Sequence, residues 1–416
     1  MIVNKKNIVS FITLLFFISV PIGIYLNVEQ GVIYAFLTCS IVVLALNVRN
    51  IKLSFDYKKS SILILWFSYI LISILSTIFF SRYTVKDISG IIVEILFTVI
   101  LFILTRFWNA KYFLIIFRNF IILLAIITIF GEIFRFDPFE LLKKGTQFTS
   151  IDANGAVSTI FEFRHYYGAF LIAALIIIWE FPFKNGCKNF IYNLILLINL
   201  ILTNTRNAWV AFIIVFILWI LKENKFRISK HSTYKIMLIV LILIAFFLLF
   251  SNILEHLINV IDFRIMDLVT SQNKYGGATG VRGYTIENGT KYIIENWQKY
   301  LLIGGGNGFA LDWFSHNPYG LVVPWSAAID VQYVTTFMNT GILGLMCIFF
   351  ILFINFKNFV NSSTRIGKSF SLMLIALSIM MAFFDVIPFD NSPFVFWIIC
   401  ICGMNTISFK EKNEKN

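Results

Sequence analysis

Charge is what this 416-residue chain has least of: Asp, Glu, Lys and Arg together make up 13% of it, and the acidic residues number 22. Globular domains in water carry about 25% charged residues, so a soluble domain is excluded by composition alone. What fills the space is apolar. Hydrophobic residues reach 59%, aromatic residues 17%, and the mean hydropathy is +0.83. The chain reads as an integral membrane protein.

Cysteine is also sparse, with five residues at positions 39, 187, 347, 400 and 402. None falls in an outer loop of the topology derived below, so no disulfide framework is implied. Cys400 and Cys402 are two apart in an apolar helix and point to different faces, which makes them a poor metal pair. The glycine run Gly304-Gly305-Gly306-Asn307-Gly308 has no Lys-Ser or Lys-Thr after it. It is therefore a tight turn rather than a nucleotide P-loop. No internal repeat of the kind that marks many transporters is visible.

Apolar runs of about 20 residues, enough to cross roughly 30 Å of hydrocarbon as helix, recur from end to end. Hydropathy predicts twelve spans: residues 8–26, 31–48, 61–80, 89–105, 113–131, 166–182, 189–205, 207–221, 236–254, 341–355, 369–388 and 393–409. Lys5 and Lys6 precede the first run as in a signal peptide, but no small-residue cleavage site follows, so it is expected to be a retained helix. Most of the 34 basic residues fall in short segments on one side, including Lys222–Arg227. This bias predicts both termini in the cytoplasm. The net charge of +12 is then a topology signal, and nucleic acid is not an expected partner.

The expected organisation is helices 1–9 over residues 1–254, an extracytoplasmic loop subdomain over 255–325, and a re-entrant or interfacial helix with helices 10–12 over 326–416. An earlier outer segment, about 132–165, contains Lys143-Lys144-Gly145 and ends in Phe163-Arg164-His165-Tyr166-Tyr167. In the long loop, Tyr275 to Gly283 is a glycine-rich approach to a helix over 284–301, with Ile286, Ile293, Trp297 and Leu301 on one face. His316-Asn317-Pro318 forms a turn, and Gly341 opens the next span.

Charged residues within spans are costly and are either paired or functional. Glu94 and Arg118 form a structural pair, snorkel separately, or line a polar cavity. Arg206 lies in Thr203-Asn204-Thr205-Arg206, between two apolar runs, where the preceding residues are good N-caps. A cation at a helix N-terminus opposes the dipole unless an anion joins it. Lipid phosphate and substrate phosphate are both open readings. Arg282, flanked by Gly280 and Gly283, is either a solvated loop charge or a second anion ligand. Asp330 lies in the apolar stretch Ala327 to Val334, where it serves as a general base, an N-cap or an ion-pair partner. His316 is the other candidate base, or a hydrogen-bonded turn residue.

In order, Thr203-x-Thr205-Arg206-x-Ala208-Trp209, Arg282-Gly283, Gly304-x-Gly306-x-Gly308, Asp330-x-x-Tyr333 and Thr340-Gly341-Ile342-Leu343-Gly344-Leu345 resemble motifs of the bacterial O-antigen ligase and polymerase superfamily. They cover roughly residues 155–350; the remaining spans match in number and hydropathy. The resemblance implies an all-α, polytopic, glycosyltransferase C-like protein that acts on polyprenyl-diphosphate-linked sugars and needs no metal or other cofactor. Two arginines of the ligase branch hold the donor diphosphate, and Arg206 and Arg282 match their motifs. Arg164, in Arg164-His165-Tyr166-Tyr167-Gly168, matches a further family segment and adds to that anion site.

The ligase branch carries a histidine eleven residues before the glycine that closes the loop; here that position is Asp330. The change resembles polymerase members with an acidic residue there, and it assigns Asp330 as catalytic base with His316 as the secondary candidate. No Asp-x-Asp motif for metal-bound nucleotide sugars occurs. Tyr284, Trp297, Trp313, Tyr319 and Trp325 are available to stack on sugar rings or to anchor the loop at the interface. The implied partners are lipid-linked repeat units and membrane lipids, with a chain-length regulator and a flippase as candidate protein partners. The activity expected is repeat-unit polymerisation for O-antigen, capsule or exopolysaccharide at the outer face of the cytoplasmic membrane. Ligation onto lipopolysaccharide core and lipid-linked oligosaccharide transport are the rivals.

Overall fold

In hydrocarbon every backbone N–H and C=O must find its partner inside the protein, and an apolar run does this as a helix. The computed structural model describes residues 5–26, 28–47, 61–80, 85–134, 136–143, 157–161, 163–223, 277–317, 331–382 and 392–413. The regular elements among them are all helical. They are α1 (Lys5–Leu26), α2 (Glu29–Asn47), α3 (Ser61–Phe79), α4 (Val85–Phe107), α5 (Ala110–Phe134), α6 (Glu140–Lys143), α7 (Arg164–Glu180), α8 (Gly186–Leu202) and α9 (Arg206–Glu223). Further along the chain come α10 (Gly277–Glu295), α11 (Trp297–Tyr300), α12 (Phe309–His316), α13 (Gln332–Asn361), α14 (Arg365–Met380) and α15 (Ser392–Asn413).

Among the described residues, five segments are long and apolar enough to cross a membrane: Lys5–Leu26, Ser61–Phe79, Gly90–Phe107, Ala110–Phe134 and Gln332–Asn361. Three shorter apolar helices, Gly186–Leu202 among them, accompany these. The chain is thus a helical polytopic membrane protein. The predicted span at 236–254 lies outside the described residues, as do Lys144, Tyr319, Trp325 and Asp330.

A helix apolar on all sides belongs in the middle of a bundle. α7 is that helix, buried continuously from Tyr166 to Ile178, with α5, α8, α9 and α14 around it. Phe17 of α1, Phe117 of α5, Phe170 of α7 and Phe396 of α15 meet at its waist. Phe17 is edge-on to Phe170 at 4.9 Å, and Phe117 stacks on Phe396 at 5.0 Å. Elsewhere apolar side chains face outward, as with Ile41 and Leu46 of α2 and Phe349, Phe353 and Phe356 of α13. That is the surface a bilayer covers.

Arg118 and Glu94 are not a pair. Arg118 Nη1 donates to the Phe181 carbonyl at 2.7 Å, closing the C-terminal end of α7, and its guanidinium lies 3.8 Å from the Phe183 ring. Glu94 is buried in α4, and its Oε2 has no hydrogen-bond partner among the described residues.

The amphipathic helix of the long loop also differs from its sequence pattern. α10 starts at Gly277 and stops at Glu295, so Trp297 falls beyond it and is exposed. The buried face is Thr285, Gly289 and Ile293, spaced by four. Gly289 decides this: its missing side chain lets α10 approach Val334 and Met338 of α13, where a β-carbon would stand 2.8 Å from Val334. That packing outweighs the propensity cost of about 1 kcal/mol for each glycine within the helix.

Candidate functional site

α7 and α9 run parallel. At one end Gly168 of α7 lies against Ala208 of α9. At the other, Trp219 Nε1 of α9 donates to Glu180 Oε1 of α7 at 3.0 Å. Lys368 of α14 reaches both Glu180 (3.9 Å) and Glu223, and Lys222 donates to the Val360 carbonyl near the end of α13. Because α8 returns the chain between them, α7 and α9 begin at the same end of the bundle. Arg164 is the first residue of α7 and Arg206 the first of α9, and both are half-buried.

The turn that delivers Arg206 is built from its own motif. Thr203 Oγ1 donates to the Leu200 carbonyl at 2.7 Å, so its 2.8 Å contact with Thr205 Oγ1 takes the Thr205 proton. Trp209 Nε1 donates to the same Leu200 carbonyl at 2.9 Å. One orphan carbonyl in the last turn of α8 is thereby satisfied twice. Asn204 adopts φ +51, the left-handed conformation that asparagine tolerates better than most residues. The chain reverses there, and Arg206 enters α9 with the helix dipole's positive end. At the N-cap of α7 stands Phe163, which has no polar side chain to offer the first turn. Two cations and two helix N-termini at one end of the bundle favour an anion, and phosphate oxygens suit the guanidinium fork.

α13 lies across this same end before turning into the bundle. The Gln332 N–H donates to the Met381 carbonyl at the end of α14, and Tyr333 Oη donates to the Ser378 carbonyl at 2.7 Å. The helix then breaks at Gly341, with φ +64 and ψ −164. The glycine run satisfies the break. Gly305 and Gly306 N–H donate to the Met338 and Asn339 carbonyls at 2.8 and 2.9 Å, while Ile342 N–H donates to the Leu301 carbonyl at 2.8 Å. Asn339 Oδ1 accepts from the Ala310 N–H at 2.9 Å, and Ser76 Oγ of α3 donates to the Asn339 carbonyl at 3.1 Å. The glycines read as a turn in sequence are thus also the socket of a broken helix. Broken helices are tolerated at membrane depth where protein buries the freed groups.

α10, α11 and α12 form a small core on the first segment of α13, from Ile293, Tyr300, Phe309, Phe314, Val334 and Met338. Two of the loop aromatics are engaged there: Tyr284 Oη donates to the Asn317 carbonyl, and Trp313 lies 5.1 Å from Tyr292. Arg282 is in α10, where only its backbone is described. His316 ends α12 with its side chain exposed, and its Nδ1 is 2.9 Å from the Asp312 carbonyl and 3.6 Å from the Asp312 carboxylate. Asp330 is outside the described residues; Val331, next to it, sits at the Arg206 end beside α14. The structure therefore brings Arg164 and Arg206 to one end and puts the α13 entry at that end too. Sequence reading missed Gly168, whose signal was a glycine in an otherwise bulky helical run.

These features define a class: a helical polytopic membrane protein with two arginine-led helix starts at one end and a small helical subdomain packed on a broken helix. Residues 191–349 match the family model described as O-Antigen ligase. The match supports the O-antigen ligase and polymerase superfamily, and with it a ligase- or polymerase-type glycan transferase. The match runs from α8 through the Arg206 turn, α10, the glycine run and most of α13. No curated protein matches the chain.

Proposed function

We propose that the protein is a polysaccharide polymerase that moves a growing polyprenyl-diphosphate-linked glycan onto the next lipid-linked repeat unit. The observation that carries this is the parallel pairing of α7 and α9, with Arg164 and Arg206 beginning both helices at one end. Arg206, Arg282 and Arg164 bind the donor diphosphate. An acceptor sugar hydroxyl attacks the anomeric carbon, Asp330 takes its proton, and the bond to the diphosphate oxygen breaks with its electron pair going to the leaving group. Fixed guanidinium groups and helix N-termini bind that charge more tightly as it develops, which lowers the barrier. The reaction needs no metal ion.

In this reading twelve helices form a glycosyltransferase C-like bundle in the cytoplasmic membrane, with both termini cytoplasmic. The Arg206 end faces outward, and residues 255–325 cover it. His316 is the alternative base; its exposed position, hydrogen-bonded back to its own helix, favours Asp330.

The test is polymer synthesis in cells. Arg206→Ala and Asp330→Asn should abolish long polymer while the protein stays inserted, and His316→Ala should retain it. Full-length polymer from both Arg206→Ala and Arg282→Ala would overturn the mechanism. On deletion, single repeat units should accumulate. Accumulation of long unattached polymer would instead identify a ligase, and extension of lipid-linked glycan by purified protein would exclude transport as the main activity.

A further inference from the structure

The segment before Arg164 is held by a residue that the family domain does not include. Lys143, in α6, is buried, and its Nζ donates to Ser158 Oγ at 2.8 Å and to the Phe161 carbonyl at 2.6 Å. Tyr25, near the end of α1, lies 5.6 Å from that ammonium and donates its own hydroxyl to the Ile160 carbonyl at 2.9 Å. Thr159 between them is fully buried with φ +56, a conformation a β-branched residue adopts only when its surroundings hold it there. At its other end the segment is tied to the Arg206 turn, because Val157 N–H donates to the Leu202 carbonyl at 3.1 Å. Residues 157–161 are thus pinned to α6, α1 and α8, and they lie just before Phe163 and Arg164 in the sequence.

We infer that Lys143 is a positioning residue for the anion site: it sets where α7 begins relative to the Thr203–Arg206 turn, and so where Arg164 stands relative to Arg206. A buried ammonium is costly to desolvate, and a purely packing role would be served as well by methionine. What lysine adds is directional donors to two points of one loop. Arginine can keep such donors and methionine cannot.

This inference rests on Arg164 being a ligand of the diphosphate, and the experiment separates the two claims. Full-length protein in nanodiscs is titrated with undecaprenyl diphosphate and with undecaprenyl monophosphate, and melting temperature is recorded for every variant. Arg164→Ala should weaken diphosphate binding; if it does not, the reading of Arg164 fails. Lys143→Met should raise the diphosphate Kd about tenfold, the size of one lost charge-assisted contact, and Lys143→Arg should restore most of it.

In the Arg164→Ala background, Lys143→Met should add nothing. A full Lys143→Met effect in that background, or a lowered melting temperature with an unchanged Kd, would overturn the inference. If Lys143→Met does not yield monodisperse protein, Tyr25→Phe tests the same segment by removing the hydroxyl that bonds Ile160. It should raise the Kd in wild type and not in Arg164→Ala, and an unchanged Kd in wild type counts against the inference.

Discussion

Gly168 in α7 and Ala208 in α9 meet so closely that a β-carbon on Gly168 would stand 2.9 Å from the Ala208 Cβ and 3.2 Å from Thr205 Oγ1. Small residues at such crossings let membrane helices approach backbone to backbone. Here the approach also sets the spacing of the two helix starts. Gly168→Ala should cost about 1–3 kcal/mol by overpacking and should reduce polymer yield more than protein level. Adding Ala208→Gly should recover both. Thermal melting in detergent and polymer length on gels check it, and a double variant no better than the single one would count against the contact.

The far end of the bundle yields a second prediction. Glu180 is almost fully buried, and Lys368 lies 3.9 Å from it while also bonding Glu223. Lys368→Met removes that cation and should cost about 3 kcal/mol, since breaking a buried pair leaves a charge uncompensated. Glu180→Gln added to it should return most of the loss, because the neutral amide can still accept from Trp219 Nε1. Melting temperatures of the two single variants and the double would show the pattern. Additive losses would mean the pair is not coupled.

Much of the Arg206 end was legible in the sequence because its contacts are local. Thr203, Asn204, Thr205 and Trp209 build the turn among themselves and with Leu200, so a seven-residue motif contains its own structural reason. Hydropathy similarly locates helices, since each must satisfy its backbone within itself. What could not be read was anything settled by a partner far along the chain. Gly304–Gly308 reads as a turn until Asn339 and Gly341 are beside it, and Lys143 reads as a loop charge until Ser158 and Phe161 close over it. Arg118 and Glu94 invited pairing because both are charges in spans, yet the arginine serves the end of a neighbouring helix. The periodicity of residues 284–301 misled for a related reason: the buried face of α10 is chosen by α13, which sequence spacing does not contain.

The joint at Gly341 gives the last prediction. Its φ of +64 with ψ of −164 belongs to a region essentially restricted to glycine, and a β-carbon there would stand 2.5 Å from the Leu302 carbonyl group and 2.6 Å from Gly304 N. Gly341→Ala therefore meets strain and a backbone clash together, and it should abolish recovery of folded protein. Asn339→Ala is the graded counterpart. It leaves the backbone bonds to Gly306 and Ser76 in place but removes the acceptor for Ala310 N–H, which should cost about 1–3 kcal/mol. Because Ala310 lies in α12, the loss should be local: faster hydrogen exchange over residues 305–316 with α7 and α9 unchanged. Uniform acceleration across the bundle would instead mean that the joint carries global stability. In that case the small subdomain does not open as a separate unit on the first segment of α13.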